Sequence, residues 1–165
     1  MQTLQQFRTY FNTFLKHPEI NAVFVGSIDG FLDKIETISR KNCPLLFVNY
    51  PYRQGIEMNT AESEHENLSI TIGLYNTPLM NKKSDETKFN EIFEQLHPVI
   101  SDVKAKIRHD FQEEEELFEV GHWMSKKIKG PNESYPITKK RMVGWSLEIE
   151  LGFEERHPYN STLWQ

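Results

Sequence analysis

The feature that most constrains the fold is a strict alternation of apolar and polar residues over positions 143–154. Apolar side chains stand at Val143, Trp145, Leu147, Ile149, Leu151 and Phe153. The positions between them hold Gly144, Ser146, Glu148, Glu150, Gly152 and Glu154. Because successive side chains of a β-strand point to opposite faces, this pattern predicts a long strand with one buried and one solvated face. Such a strand is typical of an antiparallel or mixed sheet.

Shorter apolar runs predict the rest of the sheet. Residues 22–25 and 45–50 are apolar runs rich in β-branched and aromatic side chains and bounded by glycine or proline, as strands commonly are. A second alternation over residues 68–74 predicts another one-sided strand, and residues 117–124 predict a further strand. Residues 52–67 are polar and without a period, so we expect a surface loop there.

Three segments carry the apolar spacing of a helix. An N-terminal helix is predicted by Leu4, Phe7, Phe11, Phe14 and Leu15. Apolar residues over positions 31–38 predict a short, weak helix or an irregular crossover. The longest helix is expected to begin near Ser84 and to carry its apolar stripe over residues 89–111. It contains Pro98, which removes one backbone donor and therefore predicts a kink.

Together these elements predict an α+β fold. We expect a mixed, mainly antiparallel sheet packed on one face by the N-terminal helix and one long kinked helix, with a C-terminal β-hairpin. A length of 165 residues suits one domain, which we place at residues 1–154, followed by an extended arm at residues 155–165. Cys43 is the only cysteine, which excludes an intramolecular disulfide and predicts a small buried or half-buried thiol rather than a nucleophile. No signal-peptide pattern and no apolar run of ~20 residues is found, so we expect a soluble, intracellularly made domain.

No pattern in the chain predicts catalysis, and we expect a protein that is not an enzyme and has no cofactor. A Gly-x-Ser-x-Gly elbow, a glycine-rich phosphate loop and a dinucleotide fingerprint are all missing. The six histidines are scattered without the spacing of a zinc site, so no metal is expected either. His122 and Trp123, together with the loop at residues 52–67, are the candidates for a small-ligand site.

Charged residues cluster in three places that suggest an assembly surface. Acidic residues follow the long helix at Glu113, Glu114, Glu115 and Glu116. Basic residues stand at Lys126, Lys127 and Lys129, and again at Lys139, Lys140 and Arg141. The basic clusters flank residues 130–132, so a long hairpin over residues 118–150 would bring them together at its tip. The acidic turn of one subunit would then contact the basic tip of the next, as in a closed ring. The alternative is that each cluster is independently solvated.

Five segments of the sequence resemble those of a known family. These are HPEINAVFVGSIDGF, NCPLLFVNYP, ENLSITIGLYNTP, KKSDETKFNEIFEQLHPVISDVKAKI and RMVGWSLEIELGF. In this order they resemble small tail proteins encoded by phages and prophages of Bacteroidetes-type bacteria, over roughly residues 17–155. The succession of an N-terminal helix, a sheet, a long helix and a final hairpin is also similar to the tail-terminator or tail-completion fold.

This resemblance implies a structural virion protein without a cofactor. Proteins of this kind form rings, often hexameric, that cap the tail tube and join it to the head. The expected partners are therefore other copies of the chain, tail tube proteins and connector proteins, with transient, non-specific passage of DNA and no membrane contact. The implied location is the tail or neck of the virion, after synthesis in the cytoplasm of the bacterial host.

The charge of the chain agrees with this role. A net charge of −5 disfavours holding a phosphate backbone, whereas a channel through which DNA slides needs neutral or acidic walls. Glu148, Glu150 and Glu154 share the polar face of the last strand and are our candidates for a lumen-facing surface. Ordinary solubilising charge is the alternative for these three residues. Two other functions stay open: a head-side connector or injection-device component, and a small-ligand-binding domain.

Overall fold

A mixed β-sheet with three α-helices makes up the part of the chain that the computed structural model describes, residues 4–49, 52–60, 63–79, 81–113, 123–134 and 141–155. The helices are α1 (Leu4–Asn12), which continues as a 3₁₀ turn over Thr13–Lys16, α2 (Ile28–Ile35) and α3 (Asp85–Glu113). A second 3₁₀ turn covers Arg40–Asn42. The strands are β1 (Ala22–Gly26), β2 (Leu45–Asn49), β3 (Tyr52–Thr60), β4 (Ser63–Asn76), β5 (Trp123–Ser134) and β6 (Val143–Glu155).

The strand order across the sheet is β1-β2-β4-β6-β5, and β3 pairs with the first half of β4 beside β2. Only the β1–β2 pair is parallel among these strands, and every other pair is antiparallel. The strand predicted from the alternation is β6, and it is an interior strand between β4 and β5. It pairs with β4 from Asn76 opposite Val143 to Glu64 opposite Glu155. The predicted α+β fold with a mixed, mainly antiparallel sheet is confirmed.

One face of the sheet packs against α1 and α3. Alternate residues of the central strands point to this face, because a strand presents every second side chain to one side. The strand residues buried there are Val25, Leu46, Val48, Ile70, Ile72, Leu74, Val143, Leu147 and Ile149. The helix residues packed against them are Tyr10, Phe11, Phe14, Ile92, Phe93, Leu96, Val99, Ile100, Val103 and Ile107. Phe11 and Phe14 of the predicted N-terminal face and the apolar stripe of the long helix therefore form the main core. Leu15 of the same predicted face is instead 47% exposed, because it lies in the 3₁₀ turn, whose tighter winding directs it away from the core.

The short helix α2 packs on the opposite face of the sheet. Its Phe31 ring stacks on Phe47 with 4.2 Å between centroids, and Tyr75 extends the stack. Cys43 is buried in this second cluster, as the sequence predicted. Helices were expected on one face only, and α2 shows that expectation to be incomplete. Both faces of β2 are covered as a result, which explains why its sequence is a continuous apolar run.

The predicted surface loop at residues 52–67 is wrong. Residues 52–60 form β3, and residues 63–67 form the start of β4, so the segment is a hairpin. A strand is held by hydrogen bonds between backbones, and these form whether or not the side chains alternate in polarity. A polar segment can therefore pair as an outer strand without showing the pattern that sequence analysis detects.

Residues 130–132 were expected at a hairpin tip, and they lie instead within β5. Lys129 is opposite Glu148 and Asn132 is opposite Ser146, so β5 carries one extra residue at this point, which is a β-bulge. Gly130 has a φ of 96° there, and a Cβ at this position would lie 2.7 Å from the carbonyl oxygen of Ser146. Pro131 is tolerated because β5 is an edge strand. The strand predicted at residues 117–124 falls mostly outside the described residues.

The long helix begins where the sequence predicted. Ser84 is its N-cap, since its Oγ accepts from the backbone N–H of Thr87 at 3.3 Å. The helix is continuous through Pro98, and the kink stays a prediction. No helix among the described residues has the length and apolar character needed to cross a membrane.

Candidate functional site

The outward face is the side of β4, β6 and β5 that is turned away from α1 and α3. Directly opposed residues of neighbouring strands share a face, so the register defines rows across it. One row consists of Thr71, Glu148 and Lys129, and the next consists of Ser69, Glu150 and Lys127. Each of the two glutamates therefore occupies a position opposite a lysine.

This register places a basic residue opposite each of the three glutamates predicted to face the lumen. Glu148 and Lys129 are both exposed and occupy directly opposed positions of β6 and β5, where opposite charges are favourable. Glu150 is placed opposite Lys127 in the same way, and Glu154 is opposite His65 of β4. At Glu148 and Lys129 the outward face is thus of mixed charge rather than purely acidic.

Arg141, the member of the second basic cluster that lies among the described residues, is placed away from Lys126 and Lys127. Lys126 and Lys127 are opposite Leu151 and Glu150, whereas Arg141 lies two residues before the start of β6. The seven residue steps from Val143 to Glu150 span about 23 Å of strand, so Arg141 is far from Lys127 along the sheet, and the expected tip at residues 130–132 does not form. The cause is that β5 continues through residues 130–132.

The remaining members of the predicted assembly surface are placed only in part. Glu113 is the last residue of α3. The other acidic residues, Glu114, Glu115 and Glu116, and two basic residues, Lys139 and Lys140, lie outside the described residues. The proposed contact between the acidic and basic groups therefore remains a prediction.

Arg141 binds α3 of its own subunit. Its guanidinium lies 2.7 Å from Oδ2 of Asp85 and 5.4 Å from the ring centre of Phe89. Asp85 opens α3, where its carboxylate also lies near the positive end of the helix dipole. Both charged side chains are about half exposed, so this ion pair contributes at most about 1 kcal/mol. The contact fixes the end of the connection between β5 and β6 against the start of α3.

A cleft of about 530 Å³ lies between α1 and α3. It is lined by Tyr10, Thr13, Phe14, Lys16, His17, Asp102, Val103, Lys106 and Asp110. At one end, the Tyr10 hydroxyl donates to Oδ2 of Asp110 at 3.0 Å, and the Lys106 ammonium lies 2.6 Å from the same oxygen. At the other end, Nε2 of His17 lies 3.3 Å from Asp102. The two helices are therefore joined by polar contacts as well as by the core.

Asp110 is the most perturbed carboxyl of this cleft. Burial alone would raise its pKa, but hydrogen bonds from Lys106 and Tyr10, the charge of Lys106 and a contact with His109 outweigh burial and lower the pKa. The neighbouring His17 is held in one tautomer. Its Nδ1 accepts from the backbone N–H of Glu19 at 3.2 Å, so the proton of the neutral ring is on Nε2 and points to Asp102.

A second concavity, the Trp145 groove, lies between α3 and the strands β5 and β6. Its volume is about 510 Å³, and it is lined by Asn90, Phe93, Glu94, His97, Pro98, Glu133 and Trp145. The Trp145 indole N–H donates to the carbonyl oxygen of Phe93 at 2.8 Å. The Trp145 ring meets Phe93 and His97 edge-on, with centroids at 5.6 and 5.0 Å. These contacts fix the aromatic wall of the groove.

The sequence analysis missed both concavities. The cleft joins residues about one hundred positions apart, such as Tyr10 and Asp110, and no local pattern connects them. For the Trp145 groove, the sequence showed only a proline inside a predicted helix and a tryptophan in a predicted strand, and only the structure shows that Pro98 and Trp145 line the same groove. Of the small-ligand candidates, His122 lies outside the described residues and the loop at residues 52–67 is a hairpin.

The search for a metal site and the comparisons add two findings. Within the part of the chain that the structure describes, no group of three or more His, Cys, Asp and Glu side chains is placed to hold a metal ion. No family model matches the chain, and a search of curated proteins also gives no match.

Proposed function

We propose that this chain is a structural virion protein of a phage or prophage, a tail-completion or terminator subunit that forms an oligomeric ring at the head–tail joint. The observation that carries the proposal is the order and packing of its elements. An N-terminal helix and a long helix lie on one face of a mixed sheet that ends in the β5–β6 hairpin. The resemblance of the sequence to phage tail proteins implies this arrangement.

The edges of the sheet support a ring. A head-to-tail contact joins two different surfaces of each subunit, and repetition of that contact closes a ring. The outer strands β1 and β5 differ: β1 is a strand of five residues paired in parallel, whereas β5 is a bulged strand of twelve residues with several lysines. Lysines and a proline on an edge disfavour pairing with an identical edge, which makes contact with a different surface the better outcome.

The outward face is our candidate for the channel wall. Its rows combine small polar residues of β4 with glutamates of β6 and lysines of β5, for example Thr71, Glu148 and Lys129. A basic face would hold DNA by releasing counterions, and the glutamates oppose that. DNA can therefore pass along such a wall without being retained.

The test measures the mass of the full-length protein by size exclusion with light scattering, alone at high concentration and with recombinant tail tube. We expect a discrete multiple of the 19.5 kDa chain in at least one condition. Immunogold labelling of purified particles should place the protein at the head-proximal end of the tail. A protein that is monomeric in both conditions and absent from the particles would contradict the proposal. Labelling on the head side or at the distal tip would favour the connector or injection-device alternative.

One observation favours a different function. The α1–α3 cleft has the size of a small-molecule site, with apolar walls from Phe14 and Val103 and polar groups at both ends. NMR with a fragment library, checked against a Thr13→Trp variant that narrows the cleft from its partly exposed wall, tests this alternative. Shifts that cluster on cleft residues and vanish in the variant would support it.

A further inference from the structure

The α1–α3 cleft has an aromatic corner. The rings of Tyr10 and Phe14 meet edge-on with 5.6 Å between centroids, and Val103 of α3 adds an aliphatic wall. All three side chains are buried. Aromatic rings pack well against one another in edge-to-face and offset contacts, so such a corner favours a ligand that carries a flat ring. The volume of about 530 Å³ is within the range of sites that enclose small organic ligands.

A positive charge lies beside this corner. The Lys106 ammonium is 5.4 Å from the ring centre of Phe14 and 5.9 Å from that of Tyr10. It also lies 2.6 Å from Oδ2 of Asp110, and this bond uses one of the three N–H donors of an ammonium. The Lys106 side chain is 40% exposed, so a ligand in the cleft can reach it. Lys16 of the 3₁₀ turn lines the same cleft and brings a second ammonium.

The carboxylates of the cleft already accept hydrogen bonds. Oδ2 of Asp110 accepts from Tyr10 and from Lys106. Oδ2 of Asp102 accepts from Nε2 of His17 at 3.3 Å. These acidic groups are thus already paired with donors, whereas the lysine ammonium groups keep donors for a ligand. An ionised carboxylate has acceptors only, so an organic acid matches the groups that the cleft offers.

Thr13 supplies one more polar group. Its Oγ1 is buried and has no hydrogen-bond partner among the groups that the structure describes. A buried hydroxyl without a partner destabilises the free protein. Side chains at positions i and i+3 of a 3₁₀ turn lie on the same side, so Thr13 shares the side of Lys16. Threonine has two common χ1 rotamers in a helix, and a rotation can turn the hydroxyl toward the cleft that the residue lines.

We propose that the α1–α3 cleft binds a small aromatic carboxylate. The ring of the ligand packs against Phe14 and Val103. Its carboxylate accepts hydrogen bonds from the ammonium groups of Lys16 and Lys106 and from the hydroxyl of Thr13. This inference rests on the second candidate function, in which the cleft is a small-molecule site, and names the ligand class of that site. It is independent of assembly into a ring.

The experiment titrates the isotope-labelled, full-length protein with phenylacetate and with phenylacetamide, which keeps the ring and removes the charge. Phenylacetate should shift the amide resonances of cleft residues in a saturable manner. Phenylacetamide should bind about fivefold more weakly, the ratio that corresponds to about 1 kcal/mol for a partly exposed ion pair. Added salt should reduce this preference for the acid. Phenethylamine, which carries the opposite charge, should bind more weakly than the acid.

Three variants separate the contributions of the charge and the hydroxyl. Lys16→Gln should weaken phenylacetate binding about fivefold and leave phenylacetamide binding unchanged. The matched control is Lys41→Gln, which removes an exposed lysine of the second 3₁₀ turn and should bind both ligands as the wild type does. Thr13→Val keeps the shape of the side chain and removes the hydroxyl. It should weaken phenylacetate binding without lowering Tm of the free protein, because the lost hydroxyl had no partner there.

Several results would overturn the proposal. Equal affinities for the acid and the amide would do so, as would tighter binding of phenethylamine or normal binding of phenylacetate by Lys16→Gln. Resonance shifts that map away from the cleft would also contradict it. If fragments of another class bind in the cleft, the small-molecule site stands and the assigned ligand class is wrong. If nothing binds there, both are wrong, and the proposed ring is unaffected.

Discussion

Replacing Gly144 by alanine should destabilise the protein through a clash between two backbones. Gly144 lies at the start of β6, opposite Tyr75 of β4. A Cβ at this position would overlap the carbonyl oxygen of Leu74 and lie 3.0 Å from Cα of Tyr75. No side-chain rotation relieves such an overlap, so the two central strands must separate locally.

The size of the effect follows from the surroundings. Residues that flank this point, Leu74 and Val143, are fully buried under α3, and overpacking in a close-packed region costs about 1–3 kcal/mol. For a chain of this size each kcal/mol lowers Tm by about 2–4 °C. We therefore expect Gly144→Ala to lower the free energy of unfolding by about 2 kcal/mol and Tm by roughly 4–8 °C.

Gly30→Ala is the matched control, since it makes the same chemical change where the nearest atom belongs to a small side chain rather than to a backbone. Gly30 lies in α2, and the nearest atom to an added Cβ is Oγ of Ser27 at 3.3 Å. Alanine is favoured over glycine in a helix by up to about 1 kcal/mol, which offsets the small shift that Ser27 must make, so this variant should lose much less stability than Gly144→Ala. Urea unfolding followed by circular dichroism measures both variants. Equal stability of Gly144→Ala and wild type would refute the clash argument, as would equal losses in the two variants.

Three further predictions concern single side chains. Asp110→Asn should be less stable than wild type near neutral pH, because the pKa of Asp110 is lowered in the folded protein and its carboxylate is therefore stabilising. The difference should shrink as the pH falls below about 4, where the carboxylate becomes protonated, and unfolding curves from pH 7 to 3 measure it. Burial raises the pKa of Tyr75, although a hydrogen bond with Ser134 opposes that shift. The wild type should therefore lose stability above about pH 10, where the tyrosine ionises more readily in the unfolded chain. Thermal melts at alkaline pH should show this loss in the wild type and not in Tyr75→Phe. Trp145→Phe removes the hydrogen bond to the Phe93 carbonyl and should cost about 1 kcal/mol in urea unfolding, whereas an unchanged midpoint would count against a structural role for that bond.

Elements that bury one face were predictable from the sequence. In β6, α1 and α3, the apolar positions of the sequence follow the period of a strand or a helix, because the side chains on one face are removed from water on folding. Those stripes meet in the core, where Leu96 and Ile107 of α3 are fully buried. An element that buries one face therefore has a periodic pattern of apolar residues, and sequence analysis detects that pattern without the structure.

Elements whose side chains are polar, or alternate weakly, were not predictable. The hairpin of β3 with the start of β4 was expected to be a loop, and Gly130 and Pro131 were expected at a turn. Both expectations rested on local propensity. Backbone pairing with a neighbouring strand overrides propensity, and a bulge admits glycine and proline into an edge strand.

The sequence by itself determined the fold class, the one-sided burial of β6 and the places where charge is concentrated. Only the tertiary structure decided which of those charges meet. It places Lys129 opposite Glu148, holds Arg141 on Asp85, and joins Tyr10 to Asp110 across one hundred residues of chain. The physical reason is that strand register and helix packing are set by the fit of the whole core, and a shift of one residue would exchange every charge pair on the sheet.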